Sequence, residues 1–165
     1  MINQVKKFFS YLWAKKSELS DMDEKDALLA KAVVDIHRRR SHSTMEFVPL
    51  YKLFPIHPIN REAALANTRK RAEILEQAKE DLIARQRLDS GILIKYIPSV
   101  SGIKVVQIDE NKYVAYEGNG RLFALQEVFE AHDGIELEVE VYHFNDSRKM
   151  IRRINRVRKL HGFQD

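Results

Sequence analysis

The sequence predicts an α+β fold. A strictly alternating run, a strand pair around a polar turn and several helix-period stretches point to it. Ile135-Glu-Leu-Glu-Val-Glu-Val141 alternates apolar and acidic residues, the signature of a strand with one buried and one wet face. Ile103 to Ile108 and Tyr113 to Tyr116 flank Asp109-Glu110-Asn111-Lys112, a hairpin turn. The helical stretches do not alternate regularly with strands, which separates the pattern from a repeating βαβ design.

The elements follow in order. Val5, Phe8, Phe9, Leu12 and Trp13 recur at helical spacing, so Ile2 to Ser17 reads as an amphipathic helix. Its lysines suit a membrane surface, a partner or the chain's own domain. Asp21, with Glu24 three residues on, forms a capping-box pattern that opens a second helix through about Arg38. These helices read as an N-terminal extension over residues 1–44, with Ser41-His42-Ser43-Thr44 as a polar joint. Glu46 to Leu50 is a short strand candidate that enters a loop holding Pro49, Pro55 and Pro58. Asn60 caps a long helix from Arg61 to about Leu88, with Leu75, Ala78 and Leu82 on one face, and Gly91 ends that unit. Ile92 to Ile97 is nearly all apolar and reads as a buried strand. After the hairpin comes a glycine turn, a helix from about Arg121 to Ala131, a break at Gly134 and the alternating strand. Asn145, Asp146 and Ser147 offer a cap for a last helix, over residues 146–165, striped with Met150, Ile151, Ile154 and Val157.

Composition narrows the function classes. The 165 residues suit one domain with terminal additions, and a hydrophobic fraction of 44% suffices for a core. No apolar run is long enough to cross a bilayer, and the start carries no cleavable signal pattern. With no cysteine, disulfide scaffolds, thiol catalysis and thiolate metal sites are excluded, and a cytoplasmic location is expected. Net charge is +4, unevenly spread. His37-Arg38-Arg39-Arg40 is one basic knot, and Arg148, Lys149, Arg152, Arg153 and Arg156, continuing to Arg158 and Lys159, form another with no acid among them. Such blocks favour nucleic acid or an acidic protein face, or are a solvated helix surface.

The chemistry is expected at Glu117-Gly118-Asn119-Gly120-Arg121, where a strand hands over to a helix. The first N–H groups of a helix lack internal acceptors, and the helix dipole favours an anion there. Gly118 and Gly120 let the backbone approach oxygen atoms, and Arg121 adds a forked cationic donor. A tight turn capped by asparagine would look the same. His57, between Pro55 and Pro58, is a phosphate contact or general base, or an exposed loop histidine. Arg61 is a phosphate contact or a surface ion pair, and Arg69 follows it on the helix. Glu136, Glu138 and Glu140 share a strand face too widely spaced for one ion; pairing with arginines of the last helix is the simpler expectation. His132 and His143 lack a zinc-binding spacing, and no Walker lysine or Ser-His-Asp signature is present.

From Val48-Pro49-Leu50 through the Pro-rich loop, the long helix, Gly91-Ile92-Leu93, the hairpin, Tyr116-Glu117-Gly118-Asn119-Gly120-Arg121-Leu122-Phe123-Ala124-Leu125 and the alternating strand, the order resembles the ParB N-terminal domain. That domain, also called ParB-like nuclease, belongs to the ParB/sulfiredoxin superfamily. The resemblance covers roughly Glu46 to Phe144 and places a domain at residues 45–145. It implies a small mixed sheet packed on helices and a triphosphate, ATP or CTP with Mg²⁺, held by Gly118, Asn119, Gly120 and Arg121, with Glu117, a catalytic candidate, holding the metal or orienting Arg121. His57 and Arg61 would approach the same nucleotide. Superfamily members use the pocket as a CTP-driven clamp switch, for ATP-dependent sulfinic acid phosphorylation, or for phosphate transfer to serine. The departures are specific. Partition proteins read Gly-Glu-Arg-Arg where this chain has Gly118-Asn119-Gly120-Arg121. Asn119 stands where sulfiredoxin needs cysteine, and Asn145 to Asp165 are too few for a helix-turn-helix plus dimerisation region. Three readings therefore stand: a nucleotide-dependent phosphotransferase, NTPase or switch; a nucleic-acid-binding accessory using the basic last helix; and a non-enzymatic interaction module docked through its first helix.

Overall fold

The computed structural model describes residues 24–164. The Ile2–Ser17 helix and the Asp21 cap lie outside them. Six α-helices and six strands are found among the described residues.

The first described helix, α1 (Glu24–Arg39), runs directly into β1 (Arg40–Pro49). Ser41 to Thr44 are thus part of a strand and not a joint, because β1 pairs antiparallel with the alternating strand along almost its whole length. Leu50–Lys52 makes a 3₁₀ turn into β2 (Leu53–Pro55). The long helix expected from Arg61 is two helices, α2 (Glu62–Gln77) and α3 (Lys79–Arg85), and its N-cap is Arg61, with no side-chain bond, instead of Asn60. Gln86, at φ 60°, ends α3 and turns the chain into the short strand β3 (Arg87–Leu88).

Ile92 to Ile97 is not a strand. It belongs to α4 (Ser90–Tyr96), with Gly91 inside the first turn and not after it. Asp89 caps this helix by accepting the Ile92 N–H at 2.9 Å, and Leu93 and Ile97, four apart, are the residues it buries. The hairpin β4 (Lys104–Asp109) and β5 (Lys112–Glu117) forms as expected. Then come α5 (Asn119–Val128), β6 (Glu136–Phe144) and α6 (Ser147–Leu160), whose cap is Asp146 accepting from Lys149 N.

The sheet order is β1-β6-β4-β5-β2, with β3 also joined to β6. Strand β6 is antiparallel to β1 and parallel to β3 and β4. The alternation in β6 works as expected on one side. Leu137, Val139 and Val141 are fully buried against α2 to α5, together with Val105, Ala115, Leu122 and Leu125. The opposite face is covered at one end by α1 and α6, where Ala32, Ile36, Met150, Ile154 and Val157 pack on Val106, Val114, Tyr116 and Tyr142. The N-terminal segment from Glu24 is therefore part of a shared core and not an appendage. Its buried carboxylate, Asp35, pairs with Arg153 of α6. No described helix is long and apolar enough to cross a membrane.

Candidate functional site

Strand β5 ends at Glu117, and the turn into α5 demands glycine twice, for different reasons. Gly118 sits at φ 85°, in the left-handed region, and a Cβ there would lie 2.9 Å from Cγ1 of Ile103. Gly120 has helical backbone, but a Cβ would come within 2.7 Å of Nη1 of Arg71. Gly118 supplies no side-chain cap, and the first bond of the helix runs from Leu122 N–H to the Gly118 carbonyl. The N–H groups of Asn119, Gly120 and Arg121 thus have no acceptor within α5.

Asn119 and Gly120 border a cavity of about 520 Å³ between the start of α5, the loop after β2, one side of α2 and the ends of α1 and α6. Gly118, Asn119, Gly120, Arg61 and His57 all line it, so five of the expected site residues come together. Arg71, Asn67 and His161 line it as well, and Asp26 is the one acid among the described residues that do. Asn119 is 6% exposed, with an Oδ1 that meets no hydrogen-bond donor. Tyr116 also lines the cavity; its hydroxyl is buried beside Tyr142, and burial followed by that neighbour pushes its pKa up. The two histidines use opposite ring atoms to bond the backbone. Nδ1 of His57 donates to the Pro58 carbonyl at 2.9 Å, leaving Nε2, whereas Nε2 of His161 donates to the Lys25 carbonyl at 3.3 Å, leaving Nδ1.

Two expected members are elsewhere. Arg121 does not line this cavity. On α5 it shares the inward stripe with Leu125 and Val128, is 2% exposed, and donates from Nη2 to the Ser101 carbonyl. Its Nε has no partner, and burial together with the neighbouring Arg71 guanidinium pulls its pKa down. Arg71 supplies the guanidinium at the turn in its place. Glu117 is not among the cavity residues either. It pairs with Nζ of Lys104 at 3.2 Å and lies 3.6 Å from Nε2 of His37. Burial alone would raise its pKa, but His37 and Lys104 overcome that and hold it at about 2. Glu117, expected to hold a metal or orient Arg121, is thus engaged with Lys104 and His37, outside the cavity that the other expected residues line. Among the described residues no group of three or more His, Asp or Glu side chains is arranged to hold a metal ion.

The remaining candidates resolve simply. Glu136, Glu138 and Glu140 do not pair with the last helix. Glu136 takes Arg87 Nε at 2.8 Å, Glu138 takes the N–H and hydroxyl of Ser90, and Glu140 takes the Ser43 hydroxyl at 2.7 Å. On α6, Arg148, Lys149, Arg152 and Arg156 are exposed, while Arg153 is committed to Asp35. Arg158 is buried, donating to the Pro55 carbonyl at 3.1 Å. Arg69 is exposed and outside the cavity. Sequence reasoning missed Arg71 and His161. The signal for Arg71 was available, since Ala64, Asn67 and Arg71 fall on one helix face at spacings of three and four. The chain matches no protein-family model, no curated protein and no solved structure.

Proposed function

We propose that the cavity at the start of α5 binds the phosphates of a nucleotide, ATP or CTP, in a domain of ParB/sulfiredoxin type. The observation that carries this reading is convergence: two arginines, two histidines and the helix-start N–H groups of Asn119 and Gly120 around one space, with a single acid among the described residues that line it. Anions are favoured there by charge, by the helix dipole and by donors without acceptors. The volume of about 520 Å³ is in the range of small-molecule pockets. The unpartnered Oδ1 of Asn119 adds an acceptor for a hydroxyl or amino group beside the phosphates. In this reading Arg61 and Arg71 neutralise phosphate oxygens, and Nε2 of His57 is the group placed to take a proton. Mg²⁺ would arrive on the triphosphate, carried mainly by phosphate oxygens and water.

Thermal unfolding of the whole chain with ATP, CTP and GTP, each with Mg²⁺, tests the proposal. At one hundred times Kd a bound nucleotide stabilises by about 2.7 kcal/mol, which raises Tm by about 5–10 °C for a chain of this size. Arg71→Ala and Arg61→Ala should each remove most of that rise, whereas Arg121→Met should retain it. Absence of a rise with every nucleotide, or a rise that survives both alanine variants, refutes the site.

A further inference from the structure

We infer that the face built from the end of α1 and the outer side of α6 binds the phosphate backbone of a double-stranded nucleic acid without reading its sequence. Packing makes this face by joining two basic runs that are far apart along the chain. Helices α1 and α6 run antiparallel, with Lys25 beside His161 and Asp35 beside Arg153. Arg38, Arg39 and Arg40 therefore emerge next to the first turns of α6, and Arg39, Lys149 and Arg153 line one cleft of about 230 Å³. Beyond it Arg148, Arg152, Arg156 and Lys159 are all exposed. The acids here are Asp35, held by Arg153, and Asp146, the α6 cap; residues 36–45 and 147–164 contain none.

The charge is one-sided. Apart from the nine cations of this region the chain holds more acid than base, so a net charge of +4 conceals a strongly polarised molecule. Such polarity steers and orients a polyanion. From Arg148 to Lys159 the helix extends about 16 Å, and duplex DNA carries one charge per about 1.7 Å of axis, so several phosphates come within reach at once.

The same face argues against other polyanions. A helix lying on a membrane needs a free apolar side, but Met150, Ile154 and Val157 are buried in the core. Of the exposed large apolar side chains among the described residues, Leu160 alone belongs to α1 or α6. Single strands are held largely by stacking on aromatic rings, and neither helix exposes one.

The test is fluorescence anisotropy of the full chain with labelled duplexes of two unrelated sequences across a salt series. With about five phosphate contacts, affinity for both should fall about 500-fold between about 50 and about 200 mM salt. The variant Arg148→Glu/Arg152→Glu/Arg156→Glu should lose more than about tenfold at low salt, and a control of equal charge change, Lys70→Glu/Arg85→Glu/Lys95→Glu, less than about twofold. Should far-UV circular dichroism show the α6 variant misfolded, the corresponding glutamine variant decides, with a smaller loss in the same direction. The inference is overturned by no duplex binding at low salt, by affinity indifferent to salt, by equal losses in the two triple variants, or by tighter binding to single strands or anionic vesicles.

Discussion

Replacing Glu117 with glutamine separates a structural carboxylate from a functional one. The substitution keeps the shape and removes the charge facing Lys104, which is only 5% exposed, and His37. Carrying the carboxyl from 4.5 down to about 2 corresponds, at about 1.4 kcal/mol per pH unit, to about 3 kcal/mol for a group sealed from water. The Glu117 side chain keeps 29% of its surface, so solvent screens the pair and about 1.5 kcal/mol is the expected loss at pH 7. Its folded-state pKa is depressed, so the contribution is complete above about pH 4.5 and disappears as pH falls toward 2. Urea unfolding of both proteins at pH 7, 4.5, 3 and 2 measures this. The two stabilities should differ by about 1.5 kcal/mol at neutral pH and converge near pH 2. A difference below about 0.5 kcal/mol at pH 7, or one independent of pH, refutes the ion-pair account. A variant of unchanged stability that no longer binds nucleotide would return Glu117 to the cavity's chemistry.

The two glycines of the turn give opposite expectations. Gly118→Ala forces a left-handed backbone and a clash with the Ile103 side chain and Cα, and should lower stability by about 1–3 kcal/mol in urea unfolding. Gly120→Ala meets only the mobile end of Arg71, so stability should change by less than about 1 kcal/mol while nucleotide-induced stabilisation drops as Arg71 is displaced. Asp89→Ala removes the cap of α4 and should cost about 1 kcal/mol; a neutral effect would show that tertiary packing alone holds that helix.

How far the sequence could be read depended on whether a residue's role was local. The alternation in β6 and the hairpin turn are local patterns, and both formed where expected. The run Ile92–Ile97 carries no period to choose between helix and strand, and the deciding residue, Asp89, lies just ahead of it, where its capping bond settles the matter. Ser41–Thr44 looked like linker because hydroxyls and a histidine suit one. Their strand character comes from pairing with residues nearly a hundred positions later, Thr44 with Val141 among them. At the turn, the strand-to-helix junction and its glycines were legible. Which guanidinium faces the cavity was not, because it depends on the rotation of α5 against α2: Arg121 falls on the inward stripe and Arg71 on the side facing the turn.

Strand β6 touches three other strands and follows all of them in the sequence. Emerging from the ribosome, the polypeptide up to Ile135 has nothing to zip β1, β3 and β4 together, and loop closures this long are slow to complete. The β1 edge then offers unsatisfied amides and carbonyls to neighbouring nascent chains until β6 arrives. Sheet completion is thus a late, all-at-once event, and the cavity at the start of α5 and the basic face of α1 and α6 come into being only when it occurs.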